Sequence, residues 1–192
     1  AKIDYELVPI DFGKKEQKAQ EYLRLNPNGR IPTIVDRSAE DFAVFESGAI
    51  LMHLAENTAL LPSDPVPRAV ILSWLFAALN SIEPQVFELS NVDIFSRNEE
   101  WAKLRRPSLV EALGGRLDRL ETALGNREWL ASAFSLADIA MITGLREIAR
   151  TELIAPRPAL AAYLERGTAR PAFQTALADQ FLHRDSLPLV SN

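Results

Sequence analysis

Three short stretches of this sequence place ligand-facing groups where backbone geometry can use them. Glu46-Ser47 follows the strand-like run Phe42-Ala43-Val44-Phe45 and precedes Ile50, Leu51 and Leu54, three apolar positions on one helical face. The pair therefore sits where a strand hands over to a helix. Ser47 suits an N-cap, and the free N–H groups beside it attract a carboxylate, helped by the helix dipole. Glu46 supplies the opposite sign, for an ammonium. The same two residues read equally as a plain capping motif. Ile31-Pro32 opens another strand, Ile31–Asp36. An X–Pro bond reaches cis at modest cost, and a cis Pro32 would turn the Ile31 N–H and C=O outward, free to pair with an extended peptide. The alternative is an ordinary edge-strand proline. Arg30, next in line, could meet a carboxylate or lie in solvent. Ser135-Leu136-Ala137-Asp138 has the spacing of a capping box. It is structural, worth about 1 kcal/mol or more, and no catalysis is assigned to it.

Other reactive chemistry is scarce. The sequence has no Cys, which excludes disulfides, Cys-ligated zinc and a Cys nucleophile within these residues. His53 and His183 fall on different helices without ligand spacing, so each reads as a solvated or capping residue. Gly114-Gly115 is too isolated for a phosphate loop. With 21 basic and 26 acidic residues, net charge −5 and no basic run, nucleic acid is not an expected partner. No apolar stretch reads as reaching the roughly 18 residues of a membrane span, and Ala1–Tyr5 carries no signal-peptide pattern. The expected compartment is the cytoplasm, with no membrane partner and no metal.

The elements that must position these groups fall into two halves. Up to residue 63, strand and helix signals mix: a strand at Tyr5–Ile10, a polar segment from Lys14 to Leu25 ending in the breaker run Asn26-Pro27-Asn28-Gly29, then strands at Ile31–Asp36 and Phe42–Phe45 and the helix after Glu46-Ser47. Pro62, Pro65 and Pro67 mark a linker. From residue 66 to 192 strand signals almost vanish. Val66–Leu89 reads as a long helix kinked by Pro84. Leu104–Leu124 is amphipathic, and shorter helices follow at Ser135–Ile148, Ala159–Gly167 and Pro171–Leu182. Trp74, Phe76 and Phe87 read as core or, alternatively, as the lining of a substrate cleft. Arg105 and Arg106 read either as charge offered to a site or as surface. A β/α unit before a helical one implies two domains in series, 1–63 and 66–192.

The ordered set of motifs resembles the cytosolic glutathione transferases. The resemblance rests on Asn26-Pro27-Asn28-Gly29-Arg30-Ile31-Pro32-Thr33-Ile34-Val35-Asp36, on Val44-Phe45-Glu46-Ser47-Gly48-Ala49-Ile50 and on Leu60-Leu61-Pro62-Ser63-Asp64. It resumes at Trp129-Leu130, at Phe134-Ser135-Leu136-Ala137-Asp138-Ile139 and at Arg170-Pro171-Ala172-Phe173. Asp11-Phe12-Gly13-Lys14-Lys15-Glu16-Gln17 is most similar to bacterial forms related to the nu class and the yeast prion-like members.

What the resemblance implies is specific. The fold would be a thioredoxin-like α/β domain followed by an all-α domain. Glutathione would be the co-substrate, its cysteinyl backbone on Ile31 beside cis Pro32. Its γ-glutamyl carboxylate and ammonium would meet Ser47 and Glu46. Arg30 would approach its glycine carboxylate, and Gln17 would reach the ligand from after the first crossover. The family's first strand and helix would lie upstream of Ala1, so Tyr5–Pro9 would be its second strand. The group that holds the glutathione sulfur would lie upstream too, leaving the catalytic residue unassigned. The expected activity is glutathione transfer to a small electrophile, in detoxification, or reduction of a disulfide or peroxide, by a homodimer. The alternatives are a non-catalytic binding or scaffold protein and a dimerising fragment.

Overall fold

The computed structural model describes residues 3–184, with side chains as far as Phe181. The chain forms two compact units, one of 1–56 with the described part of 171–192, the other of 57–170.

In the first unit, a 3-10 turn (Glu16–Lys18) leads into helix α1 (Gln20–Leu25). Strands β1 (Thr33–Asp36) and β2 (Phe42–Phe45) then pair antiparallel in the register Thr33↔Phe45 to Asp36↔Phe42. The five residues between them form a tight turn. Asp36 caps its 3-10 segment, accepting from Ser38 N at 2.9 Å, and Glu40 and Asp41 take positive φ. Helix α2 (Ser47–Ala55) buries Ile50 and Ala55, whereas Leu54 is exposed. Helix α8 (Pro171–Arg184) belongs to this unit, where the Tyr5 hydroxyl donates to Asp179.

One predicted strand is missing. Tyr5–Ile10 forms no strand, and Tyr5, Leu7 and Val8 are exposed. A strand exists through inter-strand hydrogen bonds, and no described residue offers a partner for this one. The described sheet is accordingly two-stranded and antiparallel.

The second unit is helical. Helix α3 (Pro65–Ala77), a π-helical turn (Ala78–Ile82), helix α4 (Glu83–Ser90) and a second π-helical turn (Asn91–Phe95) run on without a break. The π turn comes just before Pro84, which has no N–H and whose ring crowds the carbonyl four residues back. Contrary to the sequence reading, this 31-residue run is long and apolar enough, by length and composition, to cross a membrane. Between Val66 and Ile82 its lone charge is Arg68. Its buried positions, Ile71, Leu75, Ala78, Ile82, Val86, Leu89 and Val92, recur every three or four residues, the spacing of a helix packed on one side against a bundle.

Helix α5 (Glu100–Leu124) answers with Leu109, Leu113, Leu117, Leu120 and Leu124, all buried. Gly114 and Gly115 are interior residues of this helix. Helices α6 (Leu136–Arg146) and α7 (Pro158–Thr168) complete the core. They cross closely at Gly167, where a Cβ would lie 2.2 Å from the Ile142 side chain. Trp74 packs against this core as expected, but Phe76 and Phe87 are 50% and 71% exposed. They fall off the three- and four-residue spacing that defines the buried stripe, so aromatic character alone misplaced them.

Candidate functional site

The loop between α1 and β1 is braced from within. Asn26 is buried, and its Nδ2 donates to the Arg30 carbonyl at 2.7 Å and to Thr33 Oγ1 at 3.2 Å. Its Oδ1 accepts from Asn28 N at 3.0 Å. The Tyr22 hydroxyl, on α1, donates to the same Arg30 carbonyl at 2.7 Å. Gly29 closes the turn at φ 58, where a Cβ would lie 2.8 Å from the Gln17 carbonyl. A side chain is excluded there on both counts. The loop is therefore held rigidly, although its sequence reads only as a chain breaker.

That loop delivers Ile31. The Ile31–Pro32 bond is cis, Ile31 is 51% exposed, and neither its N–H nor its C=O has a hydrogen-bond partner among the described residues. Strand β1 begins at Thr33, opposite Phe45 where β2 ends, so Ile31 and the first residues of α2 both lie just beyond that end of the hairpin. The backbone edge and the start of α2 thus share one end of the hairpin.

At the start of α2 the structure corrects the sequence reading by one position. Glu46, at φ 69 and ψ 123, is the N-cap, and Ser47 is the first helical residue. Strand turns into helix at Glu46, in a conformation that costs a non-glycine residue about 1–3 kcal/mol. No side chain caps α2. The Glu46 carbonyl accepts from Ile50 N at 2.9 Å, and the N–H groups of Ser47, Gly48 and Ala49 precede this first intrahelical donor. Three unsatisfied donors at the positive end of a helix make a seat for an anion. The Ser47 hydroxyl, also without a partner among the described residues, lies beside them. Glu46 itself is exposed and accepts from Asn28 Nδ2 at 3.0 Å. Asn28 was not singled out from sequence. The available signal was its place two residues after Asn26, in a run read as a turn and as part of the family motif but not as a source of site residues.

The remaining candidates divide. Arg30 is exposed and makes no ion pair among the described residues. Gln17 is half-buried in the 3-10 turn, its Oε1 buried without a partner. At the far end of α2, His53 Nε2 lies 2.7 Å from Asp36 Oδ2, so His53 is a hydrogen-bond partner of Asp36 rather than a solvated residue. The Ser38 hydroxyl and, next, His53 hold the Asp36 carboxyl below its ordinary value. His183 lies on α8 with its side chain outside the described residues. No group of three His, Asp or Glu side chains able to hold a metal occurs among the described residues.

In the helical unit, Ser135 and Asp138 form the predicted capping box at the start of α6. Asp138 does more than its spacing announced. Its Oδ2 accepts from Ser135 N and Oγ, each at 2.9 Å, and its Oδ1 from Leu130 N at 3.0 Å and the Tyr163 hydroxyl at 2.9 Å. Burial, then the Asp138 charge, drives the Tyr163 hydroxyl well above its ordinary value. Arg105 pairs with Glu88 at 2.7 Å, and Arg106 with Asp93 and Glu152 at 2.7 and 2.9 Å, so neither guanidinium stands unpaired. An open groove of about 500 Å³ that includes Gln85, Ser108 and Arg116 contains none of the candidate residues.

Residues 1–56 match the glutathione S-transferase N-terminal domain. The chain is 34% identical to the disulfide-bond oxidoreductase YfcG of Escherichia coli (strain K12), over 92% of this chain and 85% of that protein. The chain belongs to the glutathione transferase family. It is also 33% identical to glutathione S-transferase 3 of Zea mays, over 92% of this chain and 83% of that one. A glutathione transferase from Burkholderia graminis, solved with two glutathione molecules bound per subunit, superposes with a TM-score of 0.85 at 32% identity. That match covers 91% of this chain and 78% of the other. Residues 1–56 are thus the family's thioredoxin-like N-terminal domain, with its small antiparallel sheet, and the helical C-terminal domain follows, its last helix α8 grouping with the first unit rather than closing a separate 66–192 block.

Proposed function

We propose that the protein binds glutathione at the open end of the β1–β2 hairpin and uses its thiol in transfer or reduction. The observation that carries this reading is the convergence there of three complementary groups. The unpaired Ile31 backbone suits the cysteinyl peptide unit. The bare N-terminus of α2 with Ser47 suits the γ-glutamyl carboxylate, and Glu46 suits the ammonium beside it. Arg30 faces solvent, free to meet the glycine carboxylate, and Gln17 flanks the loop.

A free thiol near pKa 8.5 is mostly protonated at neutral pH, and each unit of depression needs about 1.4 kcal/mol of selective stabilisation. With the thiolate formed, its sulfur attacks an electrophilic carbon, expelling a leaving group with its electron pair or adding across a double bond whose far atom then takes a proton; or it attacks one sulfur of a disulfide and releases the other as thiolate. Orientation by the hairpin end supplies much of the rate. Relatives named for both transfer and disulfide chemistry support keeping the two reactions together. Titration calorimetry of glutathione into the wild-type protein tests the reading. Saturable binding with transferase or disulfide reductase turnover supports an enzyme. Binding without turnover supports a scaffold or binding protein, and no binding at all overturns the site.

The reading extends to a cytoplasmic, metal-free homodimer engaged in detoxification. The first domain of one chain would pair with the long helices of the other. Sedimentation at micromolar concentration should give twice the chain mass, and a monomer would remove the dimer.

A further inference from the structure

Asn28 reaches from the α1–β1 loop to the start of α2 and holds the carboxylate proposed to meet the ligand's ammonium. Its Nδ2 lies 3.0 Å from Glu46 Oε1, the one side-chain hydrogen bond Glu46 makes among the described residues. Asn28 is itself fixed from two sides. Its N–H donates to Oδ1 of buried Asn26 at 3.0 Å, and its carbonyl accepts from Lys18 Nζ at 3.2 Å. Beyond it, Gly29 sits tightly against the Gln17 carbonyl. The chain from the buried Asn26 amide to the Glu46 carboxylate is therefore two hydrogen bonds long. The Glu46 backbone is constrained as well, at φ 69 and with its carbonyl engaged by Ile50 N.

An exposed glutamate ordinarily samples many rotamers, and a ligand that captures one must freeze the rest. A single amide donor removes part of that freedom in advance. It does so without neutralising the carboxylate, because an ionised carboxylate offers about four acceptor positions and Asn28 occupies one. Oε2 stays open. A Lys or Arg in the same place would hold Glu46 too, but would compete with the ammonium for its charge.

We propose that Asn28 is a positioning residue: it pre-orients Glu46 so that the carboxylate meets the α-ammonium of the γ-glutamyl group. This rests on the glutathione reading above. A positioning role makes the effect of Asn28 pass through Glu46, so it must depend on the ammonium.

The test uses the full-length protein and two probes: glutathione, and the analogue lacking the α-amino group. Asn28→Ala should weaken glutathione about three- to tenfold, the range of one net hydrogen bond, and leave the affinity for the analogue unchanged. Asn28→Gln, which keeps an amide donor on a longer stem, should recover part of the ratio between the two ligands. In the Glu46→Gln background, Asn28→Ala should change glutathione affinity by less than about twofold. An equal loss for both ligands, or a loss that persists in the Glu46→Gln background, would mean that Asn28 only shapes the loop, and overturns the proposal. Unchanged glutathione affinity in Asn28→Ala overturns it as well. Unchanged affinity in Glu46→Gln alone, with Asn28 intact, removes the ammonium role of Glu46 and both readings with it. The ligand ratio is internal to each variant, so a general loss of folded protein cannot imitate the expected result.

Discussion

Two acidic residues stand at the start of two helices, and they are used in opposite ways. Asp138, in the first turn of α6, is fully buried and accepts four hydrogen bonds. Glu46, at the N-cap of α2, is exposed and accepts one from a side chain. Around Asp138 the donors that face it, the Ser135 and Leu130 N–H groups and the Ser135 and Tyr163 hydroxyls, all find their acceptor in its two oxygens. Around Glu46 the first N–H groups of α2 and the Ser47 hydroxyl are left open. An acid at a helix start is structural when its surroundings saturate it, and becomes available to a ligand when they do not.

The largest expected effect breaks the saturated end of that comparison. Asp138→Ala deprives the Leu130 N–H and the buried Tyr163 hydroxyl of their acceptor, at about 1–3 kcal/mol for each stranded donor. A total loss of roughly 3–5 kcal/mol in denaturant unfolding is expected. Glutathione affinity of the protein that remains folded should be unchanged. A loss below about 1 kcal/mol would contradict the saturated network.

The open end should respond in affinity instead. Glu46→Gln and Ser47→Ala should each weaken glutathione about ten- to hundredfold in calorimetry, the value of a lost charge-assisted hydrogen bond. Because Ser47 is not the N-cap, Ser47→Ala should lower stability by less than about 0.5 kcal/mol, whereas loss of a true cap commonly lowers it by about 1 kcal/mol. A clear drop in melting temperature with unchanged affinity would restore the capping role and remove the ligand role.

The smallest effect lies at the other end of α2. The Asp36 carboxyl is held below its ordinary value by Ser38 and His53, so the stability it contributes is fully present above the unfolded value of about 3.9. That contribution is lost as pH falls through the lower folded value. Asp36→Asn should flatten the acid side of the stability profile below about pH 4, while the profile above it keeps its shape. An unchanged acid limb would show that the His53–Asp36 contact carries no linkage.

Much of this was legible in the sequence, and the legible part shares a scale. The α5 leucines, the Ser135–Asp138 spacing and the breaker run at Asn26–Gly29 are contacts within a turn or two, and a spacing rule reads them directly. The family motifs added the candidate site residues, since Ile31, Glu46 and Ser47 are unremarkable one at a time. Asn26 and Tyr22, which hold the Arg30 carbonyl, were not legible, because nothing local says which donor will reach that carbonyl. The exposure of Phe76 and Phe87 depends on which face of a long apolar helix finds a partner.

The sequence by itself determined the helical repeat of the second half, the cap of α6, the turn before β1 and the family. Each is decided by backbone stereochemistry and by residues three or four apart. Only the tertiary structure decided that Tyr5–Ile10 stays unpaired, that strand turns to helix at Glu46 rather than Ser47, that His53 pairs with Asp36, and that Asn28 reaches Glu46. Those outcomes turn on hydrogen bonds between groups distant in sequence, or on the backbone conformation adopted at one junction. Neither leaves a periodic trace, because a donor 18 positions from its acceptor is chosen by the path of the chain between them.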